Sequence, residues 1–108
     1  MKKAFILLSV LAIAVIVFGT TSTAKEPGKT GEALFKQHCS LCHPDGGNNV
    51  NPKKTLHKKD REANGVKTAS DIMGKMRNPG PGMTQFDKKT IPDKDAKEIA
   101  KYILKTFK

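Results

Sequence analysis

The chain has 108 residues and a formal net charge of +10, with two cysteines, one tyrosine and no tryptophan. This length favours a single domain, and the absence of a fixed sequence period argues against a repeat architecture. Arginines and aromatic residues are few beside the many lysines, so the composition argues against a nucleic-acid-binding protein.

The N-terminal segment has the layout of a secretory signal peptide. Two lysines precede an almost uninterrupted apolar run over residues 4–18, and small residues ending at Ala24 follow it. We expect cleavage after Ala24, which leaves a domain of residues 25–108 in the periplasm or another exported compartment. The alternative is an uncleaved membrane anchor, since the following residues extend the run toward the ~20 that span a bilayer.

The exported part retains most of the positive charge. Residues 25–108 hold 18 basic and ten acidic side chains, a formal net charge of +8. Two interpretations stay open for the lysines that dominate this count: a solvated surface that maintains solubility, or a docking surface for an acidic protein partner.

The expected secondary structure is entirely helical, because no stretch alternates apolar and polar residues with a period of two. Helical spacing and breaker residues predict four segments, at 31–43, 58–64, 70–78 and from 92 or 93 to the end of the chain. Ser70 is the expected cap of the third segment. The last segment should bury an apolar stripe made of Ala96, Ile99, Ala100, Ile103 and Phe107. A domain this small, with so few core residues, needs a further component in its interior.

Residues 39–43 read Cys-Ser-Leu-Cys-His, which is the spacing of c-type haem attachment. Two intervening residues on a helix bring both thiols to one face, where each can add to one haem vinyl group while His43 reaches the iron. The single motif therefore predicts one covalently bound haem c, held by Cys39 and Cys42, and the porphyrin would supply the missing interior.

Three other uses of the motif are less well supported. A disulfide between Cys39 and Cys42 would close a very short loop and constrain little of the unfolded chain. A zinc site needs four ligands, and only His38, His57 and carboxylates remain to complete one. A thioredoxin-like dithiol would follow a strand of a βαβ unit, and the sequence predicts no such strand.

The second axial ligand of an electron-transfer haem is usually methionine or histidine. Met83 is the main candidate, because it ends a Pro- and Gly-rich segment, residues 78–83, that lets the backbone approach a porphyrin closely. Methionine opposite His43 raises the reduction potential relative to a second histidine, since the soft thioether favours ferrous iron.

Other methionines and histidines are weaker candidates for this position. His57 would make the site bis-histidine, but it lies in a lysine-rich segment. Met73 and Met76 lie three residues apart on a predicted helix, which indicates core packing. His38 is expected to point away from the iron.

In this order, the motifs resemble those of class I monohaem cytochromes c, in particular the small cytochrome that replaces plastocyanin and its bacterial relatives. The resemblance covers most of residues 29–107 and implies an all-α fold of three to five helices wrapped around one haem. It rests on Gly31–Phe35, the Cys39–His43 motif, Gly46–Asn49 with Pro52 and Thr55-Leu56, Gly82-Met83 with Phe86, and Tyr102. It also implies that Gly31, Phe35 and Tyr102 join the first and last helices.

The resemblance implies further site residues. The Pro52 carbonyl would accept a hydrogen bond from Nδ1 of His43, and Asn49 or the asparagine before it would lie near the haem edge. Most members have proline after the methionine ligand, whereas this chain has Thr84. The loop that carries Met83 is therefore expected to be less rigid.

The predicted function is one-electron transfer by a carrier that is not an enzyme, since iron with two protein ligands has no open position for a substrate. We expect a monomer whose lysines dock briefly on acidic redox proteins such as other cytochromes or reductases. Membrane contact is expected only if the N-terminal segment is retained. The alternatives are a haem-based sensor of diatomic ligands in which Met83 dissociates, and a haem-free metal- or thiol-handling module with two titratable thiols.

Overall fold

The computed structural model describes residues 28–108, so the predicted signal segment lies outside the described residues. The elements are α1 (Gly31–His38), a 3₁₀ turn (Pro44–Gly46), α2 (Lys58–Ala63), α3 (Ala69–Arg77) and α4 (Asp93–Thr106). This described range contains no β-strand, which confirms the all-α prediction. None of its helices has the length and apolar character needed to cross a membrane.

Helix α1 is shorter than predicted. The Thr30 side chain caps its start by accepting a hydrogen bond from the Ala33 amide at 3.2 Å, as its residue type favours. Its end falls at His38 rather than His43, because Cys39 leaves the helical conformation with φ −120°. The cysteine motif therefore lies in a turn that follows the helix.

Helix α3 begins with a capping box. The Thr68 hydroxyl accepts from the Asp71 amide, and the Asp71 carboxylate accepts from the Thr68 amide. Hydrogen bonds from the backbone of Lys67 and Thr68 lower the pKa of Asp71. The cap is thus Thr68 rather than the predicted Ser70, because only Thr68 has a carboxylate three residues later to complete the box.

The core forms where α1 and α3 both pack against α4. Helix α4 contributes the predicted apolar stripe, with its acidic residues in the first turn and Lys105 in the last. The ten buried apolar residues are Leu34, Phe35, Ile72, Met76, Ile91, Ala96, Ile99, Ala100, Ile103 and Phe107.

The crossing of α1 and α4 depends on Gly31. A Cβ atom built at Gly31 would overlap the Glu98 carbonyl oxygen and lie 2.9 Å from Cβ of Tyr102. Beside this contact, the rings of Phe35 and Tyr102 pack with their centroids 5.3 Å apart. The predicted contact of Gly31, Phe35 and Tyr102 between the first and last helices is confirmed.

Replacement of Gly31 by alanine should destabilise the fold by about 1–3 kcal/mol, because the helices would have to separate to admit the methyl group. Denaturant unfolding followed by far-UV circular dichroism measures this change. Gly74→Ala is the matched control, since a Cβ at Gly74 in α3 meets no atom within 4 Å and alanine should gain about 0.5–1 kcal/mol in a helix. Equal effects of the two substitutions would contradict the close approach at Gly31.

Candidate functional site

The Cys-Ser-Leu-Cys-His motif forms a compact turn at the end of α1. The amides of Cys42 and His43 both donate to the Cys39 carbonyl, at 3.2 and 2.9 Å. The carbonyl of Cys42 then accepts from the Asn49 amide at 2.9 Å. Backbone hydrogen bonds therefore close the turn on both sides and fix the backbone positions of the two cysteines.

The two thiols differ in their surroundings. Both cysteines are free, with Cys39 partly buried and Cys42 exposed. Burial raises the pKa of the Cys39 thiol to about 11, so this group is neutral at ordinary pH. Cys39 also packs against the hydrophobic core, which joins the motif to the helices.

The imidazole of His43 has a defined orientation. Its Nδ1 lies 2.8 Å from the Gly47 carbonyl oxygen. Because a carbonyl oxygen only accepts, Nδ1 must carry the proton, and Nε2 keeps the lone pair that a metal ion requires. The ring is thus held in the tautomer of a metal ligand by the backbone that follows it.

The predicted role of Pro52 falls to Gly47 in this structure. The 3₁₀ turn after His43 folds the chain back so that the Gly47 carbonyl comes under the imidazole. Left-handed backbone at Asp45 (φ 51°) and Gly46 (φ 79°) makes this reversal, and aspartate is among the residues that tolerate it best. Pro52 itself is exposed in the following loop.

The turn that contains Gly46 packs against Phe107, the aromatic residue that follows α4. Gly46 is buried, and a Cβ there would overlap the ring of Phe107. Phe107 in turn packs against Phe35 at 5.3 Å and Tyr102 at 5.9 Å between ring centroids. The helix core therefore supports the backbone that orients His43.

The two asparagines after the turn organise the loop. The Asn48 side chain accepts from the Val50 and Asn51 amides, both at 2.9 Å, and donates to the Lys54 carbonyl at 2.8 Å. The Asn49 side chain donates to the Leu41 carbonyl at 3.3 Å. Asn49 thus contacts the cysteine motif directly, where the resemblance had implied a place near the haem edge.

Met83 lies in the segment that returns beside this loop. The residue before it, Gly82, has φ +87°, and a Cβ built there would lie 2.8 Å from Cγ1 of Val50. The structure therefore brings the chain at Met83 next to the loop that follows His43. In the part of the chain that the structure describes, the large exposed apolar side chains are Leu41, Val50 and Met83.

The segment after Met83 is anchored on the end of α3. The Phe86 amide donates to the Met76 carbonyl at 2.9 Å, and the Gln85 side chain donates to the Arg77 carbonyl at 2.8 Å. The Arg77 guanidinium contacts the same segment. Sequence reasoning missed Arg77, since a basic residue in the last turn of a helix ordinarily signals only the helix dipole.

The other candidate ligands have packing partners. His57 is exposed and stacks edge-on against Phe107, with the ring centroids 5.8 Å apart. His38, which we expected to point away from the iron, is partly buried and packs edge-on against Phe86, with the ring centroids 6.2 Å apart. Met76 is buried in the core and Met73 packs against it, as predicted.

These residues fit a covalently held haem. Two free thiols, an imidazole with Nε2 available and a partly exposed thioether are the groups that such a haem uses, and exposed apolar side chains accompany them. A haem-free metal centre fits less well, because no group of three or more His, Cys, Asp or Glu side chains within residues 28–108 could hold a metal ion.

Comparison with known sequences gives a consistent family. Residues 26–103 match the family described as cytochrome c oxidase, cbb3-type, subunit III. The chain is 39% identical to cytochrome c6 of Synechocystis sp. over 68% of its own length and 61% of that protein. It is 33% identical to cytochrome c6 of Pyropia yezoensis over 95% of its length and 92% of that protein.

Solved structures agree with the sequence relatives. Outer membrane cytochrome F of Geobacter sulfurreducens superposes with a TM-score of 0.70 at 49% identity, covering 72% of this chain and 99% of that one. Cytochrome c6C of Synechococcus sp. has a TM-score of 0.68 at 24% identity, covering 73% and 95%, and supports the fold alone.

Class I c-type cytochromes of this kind carry one covalently bound haem c, which confirms the predicted cofactor. The small all-α architecture is likewise that of these proteins. From the order of its motifs, its fold and its relatives, the chain belongs to the c-type cytochromes, as a class I monohaem member related to cytochrome c6.

Proposed function

We propose that the protein is an exported one-electron carrier in which Cys39 and Cys42 hold the haem c and His43 and Met83 are its axial ligands. The observation that carries the proposal is the orientation of His43, whose Nδ1 is bonded to the Gly47 carbonyl at 2.8 Å within a Cys-x-x-Cys-His turn. The haem iron supplies a one-electron couple between its ferric and ferrous forms. The relationship to cytochromes c6, which are electron carriers, also confirms that the chain is not an enzyme.

The protein's task is to hold both ligands with little rearrangement. The Gly47 carbonyl fixes the imidazole of His43 and raises its basicity as a ligand. Gly46 and Phe107 support this turn from the helix core. On the other side, the close approach of Gly82 to Val50 brings the chain at Met83 next to the loop that follows the motif.

Met83 is favoured over the other candidates for the second axial position. Met83 is 37% exposed in the segment next to the loop that follows the motif, whereas Met76 is 3% exposed in the helix core. His57 is stacked on Phe107. Met83 is thus a candidate whose side chain is free to take up a ligand position without leaving a packed cluster.

Lysines provide the means of meeting partners. The loop after the site carries Lys53 and Lys54, and the start of α2 carries Lys58 and Lys59, all four exposed. We infer that these charges steer the protein toward acidic redox partners, as brief, electrostatically guided docking requires. The carrier is proposed to act beyond the cytoplasmic membrane, on the basis of the predicted signal peptide. It is also proposed to act as a monomer.

The second candidate function is a haem-based sensor of diatomic ligands. The absence of proline after Met83 favours it, since Thr84 leaves the backbone of the ligand segment less restricted. In this function Met83 would dissociate and open a coordination position. Ligand uptake by the ferrous protein separates the two functions.

The first test is the absorption spectrum and mass of the protein exported together with a haem-attachment machinery. We expect a mass increase of one haem, no titratable thiol, low-spin ferrous bands, and the weak red band that methionine sulfur gives on ferric iron. Low-spin bands without the red band would favour His57 instead. A high-spin spectrum with fast carbon monoxide uptake would favour the sensor, and two free thiols with no haem would refute both.

Replacement of the second axial ligand gives the next test. Met83→Ala should retain the covalent haem, because both thioether bonds remain, but lose the red band and lower the reduction potential, since the thioether favours ferrous iron. Met73→Leu and Met76→Leu are matched controls that remove a sulfur atom from the core with little change in volume. Unchanged spectra in Met83→Ala would refute its assignment.

The backbone before Met83 allows a third test within one loop. Gly82→Ala should weaken methionine ligation, because φ +87° costs a non-glycine residue on the order of 1–3 kcal/mol. Gly80→Ala is the control, since a Cβ at Gly80 meets no atom within 4 Å. Titration of the red band with denaturant compares the two, and equal midpoints would show that Gly82 does not restrict the loop.

A further inference from the structure

The residue that closes the loop carrying Met83 is Arg77. This loop leaves α3 after Arg77 and returns at Gln85, whose side chain donates to the Arg77 carbonyl at 2.8 Å. Between these points, Met83 has one weak backbone bond, from its amide to the Gly80 carbonyl at 3.5 Å. Apart from the approach of Gly82 to Val50, the position of Met83 therefore depends on the anchors at the two ends of the loop.

The Arg77 guanidinium donates four hydrogen bonds to the chain that follows Met83. Nη1 donates to the carbonyls of Phe86 and Asp87, both at 3.1 Å. Nη2 donates to the Ile91 carbonyl and to Oδ1 of Asp93, both at 2.8 Å. A single side chain thus joins the end of α3, the segment after Met83 and the start of α4.

Burial strengthens two of these bonds, those to the Phe86 and Ile91 carbonyls, which are partly buried. The Arg77 side chain is 22% exposed, and its partner Ile91 is fully buried. Hydrogen bonds from a charged donor in such a place are stronger than those of neutral groups. The planar fork of arginine reaches several acceptors at once, which the compact ammonium group of lysine does not.

We propose that Arg77 is a positioning residue for Met83: its guanidinium closes the base of the loop and so determines how firmly the thioether is held on the iron. The inference rests on the proposed function, since it assumes Met83 as the ligand. It also accounts for the presence of Thr84 where most members have proline. In this chain the hydrogen bonds of Arg77 to the residues after Met83 supply the rigidity that proline gives to other members.

The test compares three holoprotein variants. Arg77→Gln removes the charge and most donors, and Arg77→Lys keeps the charge but not the fork. Lys75→Gln is the control: Lys75 is an exposed residue on the same helix, and its substitution removes the same charge. For each variant we would measure cyanide binding to the ferric protein, the denaturant midpoints of the red band and of the helical signal, and amide hydrogen exchange at Phe86.

Arg77→Gln should bind cyanide about tenfold faster, because cyanide can reach the iron only when the loop opens and Met83 leaves it. A tenfold change is expected if the closed loop loses the stabilisation that one charge-assisted hydrogen bond provides. The red band of this variant should disappear at a lower denaturant concentration than its helical signal. The Phe86 amide should exchange faster while that of Ile103 in α4 is unchanged. Arg77→Lys should fall between Arg77→Gln and the wild type, and it serves as the test if Arg77→Gln does not fold.

Three results would overturn the inference. If the wild type shows the red band and Arg77→Gln behaves as Lys75→Gln does, Arg77 does not position Met83 and the proposed function stands. The same conclusion follows if band and helix midpoints shift together, since Arg77 then serves only global stability. If the wild type lacks the red band, the assignment of Met83 fails and the role of Arg77 fails with it.

Discussion

The close approach of α1 and α4 at Gly31 is the constraint on which the site depends. It allows the ring of Phe35 to pack against Phe107 at the far end of α4, with centroids 5.3 Å apart. Phe107 covers Gly46, where no side chain would fit. The residue after Gly46 is Gly47, whose carbonyl orients His43. A steric condition between two helices is thus transmitted, through packed rings, to the proposed iron ligand, because interiors at crystal-like density transmit displacement.

The opposite side of the site is controlled by hydrogen bonds rather than by packing. Arg77 and the backbone at the end of α3 hold residues 85–93, whereas the loop that contains Met83 makes few bonds of its own. The supports of the two proposed axial ligands therefore differ in kind. His43 is supported by buried aromatic rings, and Met83 by charge-assisted bonds that are partly open to solvent, so conditions that weaken electrostatics should affect the methionine side first.

The sequence was sufficient to predict the helices, the apolar stripe of α4 and the haem motif, because each depends on side-chain spacing. It did not predict that α1 ends at His38, since that end depends on the conformation of Cys39. Nor did it identify Gly47 as the partner of His43, because the acceptor is a backbone carbonyl that every residue possesses. The role of Arg77 was not identified for a related reason: three of its four acceptors are backbone carbonyls that only the fold brings together.

The fully buried and the large exposed apolar residues lie in different parts of the described chain. The core residues come from α1, α3 and α4 together with Ile91 and Phe107, and none comes from residues 39–68. The large exposed ones, Leu41, Val50 and Met83, all lie in the turn and loops around the motif. Exposed apolar side chains gathered at one place usually mark a binding surface, and burial contributes about 25 cal/mol per Å². The helices can therefore pack on one another, while the haem is the proposed apolar partner of the loops. Phe107 and Arg77 are among the residues that join these two parts.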